Sequence, residues 1–331
     1  MASNHWVVRR ITLLFVSEDV AKRVVSMHDA IATIESMFRE YGRGEAEVFP
    51  VVLGHGPDPT TRFSMKSGLM QTRGIVGLKV GSYWPGNRSR GKEAHASSTL
   101  LLDPDTGYAH ALVAASHLTA LRTAAADAVA VRQLARADSS SLAIFGAGHQ
   151  AWFEFLAIRE VRPINKVMIV NRSRETAEAF ASRIRQESGL DAMVMEAKSA
   201  VRCADIIVTV TAACGPLFEA GWTRPGTHIS AMGADGEGKQ ELDPQLVATA
   251  SLFTDVVQQS IVVGEYEAAF KAGLIEAERI TTIGEVLNGG CGRKEDEQIT
   301  IFDSSGMALQ DLAICSLALD NAIEQGLVAS V

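Results

Sequence analysis

The spacing of apolar residues changes twice along the first 120 residues. Between residues 17 and 40, apolar side chains recur at helical spacing after a Ser-x-Asp start, which predicts one amphipathic helix. From residue 48 to 113 the pattern changes to short β-rich runs separated by turn residues. These runs lie at 48–53, 74–80, 98–102 and 109–113. Together they predict an antiparallel sheet that packs on the helix.

The second half of the chain alternates between apolar strands and helices. An alanine-rich stretch at 119–137, without Gly or Pro, predicts a long helix that links the two halves. After it, the pattern predicts helices at 149–160 and 174–187, and strands at 141–145, 166–170, 192–195, 205–210, 227–232 and 251–254. Apolar strands that alternate with helices are typical of a doubly wound parallel sheet.

These patterns predict an α/β protein with two domains, which agrees with the length of 331 residues. Residues 121–303 form a Rossmann domain with a doubly wound parallel sheet. Residues 1–120 form a separate α+β domain. A last strand at 299–302 precedes a helix from about 304 to 324, and we expect the C-terminal segment 304–331 to return to the first domain and complete it.

Composition and charge exclude several classes of protein. The chain is 47% hydrophobic and 21% charged, which is an ordinary globular balance. Its 31 basic and 39 acidic residues give a net charge of −8 and are interspersed, so nucleic acid is a poor partner. No apolar run is long enough to span a membrane, and the run after Arg9 and Arg10 is too short for a signal peptide. We therefore expect a soluble cytoplasmic protein with no membrane partner.

The cysteines do not indicate a metal site. The four residues, Cys203, Cys214, Cys291 and Cys315, include no C-x-x-C pair and no zinc spacing. We expect reduced, mostly buried thiols. The chain also lacks an H-E-x-x-H motif and a G-x-S-x-G elbow, so metal-dependent hydrolysis and serine catalysis have no support.

A glycine turn follows the first strand of the second domain. The run "SLAIF" leads directly into Gly146, Ala147 and Gly148, and Ala151 completes a G-x-G-x-x-A pattern at the start of a helix. The first glycine permits the tight turn, and the second lets backbone N–H groups approach a pyrophosphate. The helix N-terminus then faces the phosphates. The sequence therefore predicts a dinucleotide site.

The end of the next strand bears on the choice of nucleotide. An NAD-selective site usually places a carboxylate here, but the chain has Asn171, Arg172, Ser173 and Arg174, and no carboxylate before Glu175. Guanidinium groups match the oxygens of a 2′-phosphate. We therefore favour NADP(H) as the cofactor. NAD(H) stays open, because both arginines could be solvated residues at a helix start.

Four polar residues stand where they could face a ligand. Lys79 ends an apolar strand, where it either extends to solvent or projects into a cleft as a carboxylate binder or proton donor. Arg122 lies among small residues on the linking helix and could bind a carboxylate. Asp235 follows an apolar strand at the sheet edge where such folds bind ligands, although a simple turn aspartate is an alternative. Lys239 could reach the cofactor or be solvated.

Taken together, these residues resemble the ornithine cyclodeaminase/mu-crystallin family over about residues 48–320. The matching blocks are "GLKVGSYWPGN", "AHASSTLLLDPDTGYAHAL", "LTALRTAAADAVAVRQLAR", "IFGAGHQA", "DIIVTVTA", "AMGADGEGKQEL" and "TIFDSSGMALQDLA". The resemblance implies a homodimer in which the first domain binds substrate and mediates dimerisation.

The resemblance also implies roles for individual residues. Lys79 and Arg122 match positions that hold the substrate α-carboxylate, Asp235 matches the catalytic acid/base, and Ser305 matches a substrate contact. Lys79 could share the proton transfer. The positions expected to contact the cofactor, besides the glycine turn and the 171–174 segment, are Thr123, His149, Gln150, Thr211, Met232, Gly233, Lys239 and Ser304.

Two departures from the family pattern narrow the function. A family arginine has no equivalent near Val52 or Leu53, although Arg62 could replace it. Phe63 occupies the place of the carboxylate that would hold the side-chain amine of ornithine. Both departures weaken the cyclodeaminase interpretation.

A third difference adds a cation. Met65-Lys66-Ser67 stands in place of the family's Met-Pro-Ala, so Arg62 and Lys66 could bind a second carboxylate of an acidic substrate, unless Lys66 points to water. The chain then looks more like the family's imine reductases, including those that make aspartate from iminosuccinate.

We therefore expect an NAD(P)H-dependent oxidoreductase that reduces the C=N bond of a small α-imino acid to an L-amino acid. The leading candidate substrate is an imino dicarboxylate such as iminosuccinate. The alternatives are an ornithine or lysine cyclodeaminase that uses NAD catalytically, an enzyme similar to alanine dehydrogenase, and a mu-crystallin-like protein that binds NADPH and a small ligand.

Overall fold

The computed structural model describes residues 13–330, so Arg9, Arg10 and the start of the first predicted domain lie outside the described part. The first half contains β1 (Leu14–Val16), α1 (Glu18–Val24), α2 (Met27–Gly42), β2 (Ala46–Val48), β3 (Val52–Gly54), β4 (Arg62–Met70), β5 (Ile75–Tyr83), β6 (His95–Leu102), β7 (Ala109–Ala114) and α3 (Ser116–Leu134).

The remaining elements include the strands and helices that the sequence predicts, together with five short helices and one strand between residues 197 and 287 that it does not. They are β8 (Ser141–Phe145), α4 (His149–Val161), β9 (Lys166–Val170), α5 (Arg174–Ser188), β10 (Asp191–Val194), α6 (Ala197–Cys203), β11 (Ile206–Thr209), β12 (His228–Ala231), α7 (Pro244–Thr249), β13 (Ser251–Thr254), α8 (Val257–Ser260), α9 (Glu267–Lys271), β14 (Ile280–Thr282), α10 (Ile283–Leu287), β15 (Thr300–Asp303), α11 (Ala308–Glu324) and β16 (Ala329–Ser330).

The second sheet has the Rossmann topology. Its strand order is β10-β9-β8-β11-β12-β15-β13-β14, and every neighbouring pair is parallel. The first six strands reproduce the order 3-2-1-4-5-6, in which the order reverses between β8 and β11. The predicted fold class is confirmed. The strand ends at this reversal are where such sheets bind their ligands.

The first sheet is mixed rather than purely antiparallel. Its order is β16-β1-β7-β6-β5-β4-β2, with β3 also paired to β4. The central pairs are antiparallel, whereas β1 runs parallel to β7. The single run predicted at 48–53 forms two short strands, β2 and β3, on either side of Pro50, which has no backbone N–H for a ladder.

The predicted helix at 17–40 is two helices. Ser17 caps α1 by accepting a hydrogen bond from the Val20 N–H at 3.4 Å. Val25 is extended and ends α1, and Ser26 then caps α2 by accepting from the Asp29 N–H at 3.2 Å. The apolar periodicity continues across this break because α1 and α2 both pack on the same core. Periodicity alone therefore did not reveal the boundary.

Strand β4 is the main element that the sequence pattern did not predict. It pairs with β5 along nine residues, and Lys66 lies directly opposite Lys79. Its sequence, RFSMKSGLM, does not show a clean apolar alternation, because charged and small residues occupy the pleat. The strand therefore places Arg62 and Lys66 on a regular scaffold next to Lys79.

Two long helices connect the sheets. The alanine-rich helix α3 is buried along most of its length, and α4 packs against it. Helix α11 begins at Ala308, four residues later than predicted, and lies against β4, β5, β6 and α3. Ser304 to Met307 form a turn between β15 and α11. Small residues on α3 allow this close approach of helices and sheets.

Three further expectations from the sequence concern membrane spans, metal sites and cysteines. Within residues 13–330, no helix is long and apolar enough to cross a membrane, and no group of acidic, histidine and cysteine side chains could hold a metal ion. The expectation of mostly buried thiols is wrong. Cys315 is buried, whereas Cys203, Cys214 and Cys291 are exposed.

Candidate active site

The glycine turn after β8 has the geometry that a dinucleotide needs. Gly146 adopts φ +113°, and a Cβ atom there would lie 2.7 Å from the Val210 carbonyl oxygen. Gly148 is the N-cap of α4, has no side chain to cap the helix, and has open space where a Cβ would be. Ala147 between them is half-buried. The free helix N-terminus therefore fits a pyrophosphate.

Gln150 and His149 stand in the first turn of α4. The Gln150 side-chain amide donates to the Ala120 carbonyl at 3.1 Å and to Glu154 Oε1 at 2.7 Å. Burial raises the pKa of Glu154 well above its ordinary value, and the neighbouring Asp127 raises it further. The exposed His149 ring packs against Phe153, with 5.0 Å between ring centroids. These contacts tie the glycine turn to α3.

The segment after β9 is exposed and rich in donors. The Asn171 side chain donates to the Ser173 carbonyl at 3.1 Å, and the Ser173 hydroxyl caps α5 by accepting from the Thr176 N–H at 3.2 Å. Arg174 lies 3.8 Å from Glu178 in an exposed ion pair, whereas Arg172 makes no ion pair with any described residue. Residues 171–174 therefore contain no carboxylate that could bind the ribose hydroxyls.

Glu241, which the sequence analysis did not single out, connects the loops after β11 and β12. Its carboxylate accepts from the Thr211 N–H at 2.6 Å, the Thr211 hydroxyl at 2.7 Å and the Gly233 N–H at 3.0 Å. A Cβ at Gly233 would lie 2.5 Å from this carboxylate, so only glycine fits. Met232 is 7% exposed beside it. The two loops are thereby held at the nicotinamide side of the expected cofactor site.

Asp235 is exposed on the loop after β12 and forms an ion pair with Lys239, whose ammonium also donates to the Gly233 carbonyl at 3.3 Å. Partial burial raises the pKa of Asp235. The charges of Lys239, Lys66 and Arg62 outweigh that effect and hold the pKa below its ordinary value. The carboxylate is therefore ionised at neutral pH, and it lies within electrostatic range of both cations on β4.

Lys79 and Arg122 meet at a buried carboxylate. Lys79 Nζ and Arg122 Nε each donate to Asp311 Oδ1 at 2.9 Å, and Arg122 Nη1 donates to Gln310 Oε1 at 2.7 Å. Burial lowers the pKa of Lys79 to about 8, against the opposing effect of Asp311. Lys79 therefore turns inward, and it is protonated at neutral pH.

Lys66 and the turn before α11 complete the cationic side. Lys66 Nζ donates to the carbonyls of Ser305 at 3.2 Å and Gly306 at 2.7 Å. Lys66 thus points inward rather than to water, and burial and Arg122 lower its pKa. Ser304 donates its hydroxyl to Asp255 at 2.8 Å. The buried Ser305 hydroxyl has no partner among residues 13–330, which leaves it available to a ligand.

Two further sequence-predicted residues lie at the margins. Thr123 is half-buried on α3 beside Arg122, and its hydroxyl donates to the Thr119 carbonyl at 2.7 Å. Arg62 is exposed at the start of β4, where its guanidinium lies 5.3 Å from the centre of the Tyr83 ring. Arg62 is therefore more solvent-accessible than Lys66, Lys79 and Arg122.

Three buried acids of this region were missed: Glu241, Asp255 and Asp311. Glu241 and Asp311 lie inside blocks that carry the family resemblance, "GKQEL" and "LQDLA". Their presence in these blocks was the sequence signal that could have identified them as site residues. Asp255 directly follows the strand at 251–254 at its carboxyl end. Acidic residues at such strand ends face the ligand side of a parallel sheet.

The family model for the ornithine cyclodeaminase/mu-crystallin family matches residues 12–326. Iminosuccinate reductase of Paracoccus denitrificans is 38% identical over 322 residues, which cover 96% of this chain and 99% of that protein. Alanine dehydrogenase of Archaeoglobus fulgidus is 37% identical over 322 residues, which cover 97% of this chain and 98% of that protein.

Solved structures agree with this similarity. The Paracoccus denitrificans reductase in complex with NAD+ superimposes with a TM-score of 0.93 at 37% identity, covering 97% of this chain and 99% of that chain. The Δ1-pyrroline-2-carboxylate reductase of Thermococcus litoralis in complex with NADH and L-proline gives 0.91 at 30% identity, covering 96% and 100%. A dimeric archaeal alanine dehydrogenase with bound NAD gives 0.92 at 34% identity, covering 97% and 99%.

Proposed function

Because this chain belongs to the ornithine cyclodeaminase/mu-crystallin family, we propose that it is an NAD(P)H-dependent oxidoreductase that reduces the C=N bond of a small α-imino acid to an L-amino acid. The observation that carries the proposal is a cluster of charges, in which Lys79 and Arg122 share the carboxylate of Asp311. Lys66, which lies opposite Lys79, interacts electrostatically with both Arg122 and Asp235. Two cations can bind a substrate carboxylate, and an ionised carboxylate can stabilise a positively charged iminium. The printed activities of the relatives are of this chemical class.

Each of these residues has a separate role in the proposed reaction. Arg122 and Lys79 bind the α-carboxylate and orient the C=N carbon, which is a positioning effect. The Asp235 carboxylate stabilises the protonated iminium nitrogen. A reduced nicotinamide, when bound, supplies the hydride to the carbon. The C=N electron pair then becomes the lone pair of a neutral amine, and Lys79, with a pKa of about 8, can share in its protonation.

The preferred substrate in this proposal is an imino dicarboxylate such as iminosuccinate. Lys66 lies opposite Lys79 on the neighbouring strand, and Arg62 begins the same strand. Two cations beyond the α-carboxylate clamp provide a site for a second carboxylate. The similarity to the Paracoccus denitrificans iminosuccinate reductase supports this choice.

The cofactor is a nicotinamide dinucleotide, and we propose a preference for NADP(H). Exposed Arg172 and Arg174 flank Ser173, and Asn171 stands where NAD-selective sites usually carry a carboxylate. The three solved relatives described above hold NAD+, NAD or NADH. The comparison of the two nucleotides in the assay below therefore decides this preference.

We also propose that the chain forms a homodimer through its first sheet. Phe49, Val51, Val52 and Leu53 form an exposed apolar patch around β3, where Leu53 is 78% exposed. Apolar patches of this kind are typical of protein interfaces, and the archaeal alanine dehydrogenase is a dimer. Sedimentation equilibrium should give twice the chain mass of 35.4 kDa. A monomer across the micromolar range would contradict the proposal.

The activity is tested by absorbance at 340 nm. Purified protein is mixed with NADPH or NADH, ammonia, and oxaloacetate, pyruvate or glyoxylate in turn. We expect oxidation that needs both ammonia and the oxo acid, that is fastest with oxaloacetate, and that is faster with NADPH. Ammonia release from ornithine or lysine with catalytic NAD, without net oxidation, would instead identify a cyclodeaminase. Binding of NADPH without turnover of any substrate would indicate a ligand-binding protein.

The same assay tests the dicarboxylate preference through Lys66→Met. One charge-assisted hydrogen bond to a carboxylate contributes about 1.5–3 kcal/mol, so KM for oxaloacetate should rise about tenfold or more. KM for pyruvate should change much less. Exposed Lys92→Met is the matched control and should change neither value. Equal losses with both oxo acids would mean that Lys66 supports the fold of the site rather than the second carboxylate.

A further inference from the structure

Asp311 is a buried acid on α11 that takes no direct part in the proposed reaction. Its side chain is 2% exposed, and one oxygen accepts from both Lys79 and Arg122. We propose that Asp311 is a positioning residue that aims the ammonium of Lys79 and the guanidinium of Arg122 at the substrate carboxylate. The inference rests on the proposed function, because it assumes that these two cations bind the substrate.

The contacts show how Asp311 fixes the two cations. Lys79 and Arg122 come from different elements, β5 and α3, and their only common charged partner among residues 13–330 is Asp311 Oδ1, at 2.9 Å from each. The other oxygen, Oδ2, has no partner in the same part of the chain. A single acceptor atom thus draws the ends of two long side chains to one point.

Arg122 is restrained on two further sides. Its Nη1 donates to Gln310 Oε1 at 2.7 Å. A Cβ at Gly306, where φ is +75°, would lie 2.7 Å from the same nitrogen, so the guanidinium packs flat against that backbone. With Nε on Asp311 and Nη1 on Gln310, the remaining N–H groups of the Arg122 fork are left to a ligand. Two of the three Lys79 N–H groups are likewise unused by Asp311.

The charges around Lys79 make Asp311 important for its protonation. Lys66 on β4, Arg122 on α3, Asp311 and Cys315 on α11 are the titratable groups that face it. Burial and Arg122 lower the pKa of Lys66, whereas Asp311, Asp255 and Asp235 raise it. Burial lowers the pKa of Lys79 to about 8, and Arg122 and Lys66 lower it, whereas Asp311 raises it. The Cys315 thiol, with a pKa of about 12, is neutral.

The effect of removing the Asp311 charge on the pKa of Lys79 can therefore be predicted in direction. The pKa of Lys79 should fall below 8, because desolvation and two cations then act without the opposing carboxylate. Lys79 would lose its proton at lower pH, and a deprotonated amine does not attract a carboxylate. Binding of the substrate carboxylate should thus weaken at neutral pH and be lost at lower pH than in the wild type.

The test measures binding rather than turnover. Isothermal titration of L-malate into the protein saturated with NADP+ or NAD+ is repeated from pH 6.5 to 9.5. Malate is chosen because, unlike an amino acid, it has no group that titrates in this range, and L-aspartate serves as a second probe at pH 7. For Asp311→Asn we expect affinity at least tenfold lower at pH 7. The pH at which affinity is half lost should fall by about one unit.

Two variants separate positioning from a structural role. Gln310→Met removes the other acceptor of Arg122 without removing a charge, so it should weaken binding but leave the pH of half-loss unchanged. Asp311→Glu keeps the charge on a longer stem, so it should also weaken binding about tenfold without shifting that pH. If Asp311→Asn does not fold, as judged by circular dichroism and cofactor affinity, Asp311→Glu alone carries the test.

The outcomes distinguish the two proposals. A wild-type protein that binds neither malate nor aspartate would overturn the proposed function, and the role of Asp311 with it. Wild-type binding together with unchanged affinity in Asp311→Asn, or in Asp311→Glu where only that variant folds, would overturn the role of Asp311 alone. Weaker binding in Asp311→Asn without a change in the pH of half-loss would also overturn the role of Asp311. A purely structural defect would weaken binding but would not change that pH.

Discussion

Replacement of Asp235 by asparagine should lower kcat about 10²–10⁴-fold, the range that proton-transferring and charge-stabilising side chains contribute. Asp235 is held ionised by Lys239, Lys66 and Arg62, so the variant removes a negative charge that faces the iminium. Cofactor affinity should stay within a few-fold of the wild type, because Gly233 and Thr211 remain fixed by Glu241. Steady-state rates and fluorescence titration with NADPH measure the two quantities.

Glu237→Gln is the matched control for this variant. Glu237 is an exposed acid two residues further along the same loop, so its loss should change kcat less than twofold. Since the pKa of Asp235 lies below its ordinary value of 3.8, the wild-type rate should show no acid limb from Asp235 between about pH 5 and 8. Turnover by Asp235→Asn at the wild-type rate would remove Asp235 from the mechanism.

Replacement of Arg122 by methionine should lower kcat/KM by about 10²–10³-fold. The side chain supplies a planar fork to the carboxylate and orients the reacting carbon, and positioning effects of this kind contribute several kcal/mol. Arg122→Lys should recover only part of the loss, because an ammonium keeps the charge but not the fork. Steady-state kinetics with the oxo acid varied at saturating cofactor measure the effect.

The loss of Arg122 also leaves Asp311 with one cation fewer, so folding must be monitored. Thermal unfolding and NADPH affinity are measured beside the kinetics. Arg132→Met is the control, because Arg132 lies on the same helix, α3, but forms its ion pair with Glu35 away from the cleft. A variant at Arg122 that keeps cofactor affinity and also keeps kcat/KM would show that Lys79 alone holds the carboxylate.

The two predictions concern residues that different sheets hold. Asp235 belongs to the loop after β12 on the Rossmann sheet, whereas Arg122 is bound to α11 beside the first sheet. The charges of Lys66 and Arg62 on β4 lower the pKa of Asp235, so the two parts interact electrostatically. If both variants behave as expected, the reaction depends on how the two sheets are held together by α3 and α11.

The sequence by itself determined the central strands and the glycine turn of the Rossmann half, but not β14 or the short helices α6–α10. Strands at 141–145, 166–170 and 251–254 have the predicted bounds, and the glycine turn has the predicted strand and helix on either side. These features are local, because a buried parallel strand is an apolar run and a tight turn needs glycine at a fixed position. The order of the short blocks was also sufficient to identify the family, whose model matches residues 12–326.

The apolar pattern by itself did not reveal β4 or the break between α1 and α2. Strand β4 contains charged and small residues in its pleat, so its alternation is unclear, and it is a strand because it forms a hairpin with β5 along nine residues. At Val25 the break is marked by the Ser26 cap of α2, but the apolar periodicity continues across it because both helices pack on one core. In both places the packed structure decides what the apolar pattern leaves ambiguous.

The functional site also combines residues that the sequence indicates with contacts that only the folded structure shows. Lys79, Arg122 and Asp235 could be selected from their positions at strand ends and among small residues, but Asp311 is 189 residues from Arg122 and 232 from Lys79. Glu241 likewise joins two loops through backbone N–H groups, for which the sequence carries no spacing signal. The sequence determines which groups are available for chemistry. Only the packing of α11 between the sheet and α3 determines which of them share one buried acceptor, because that contact is made by side chains far apart in the chain.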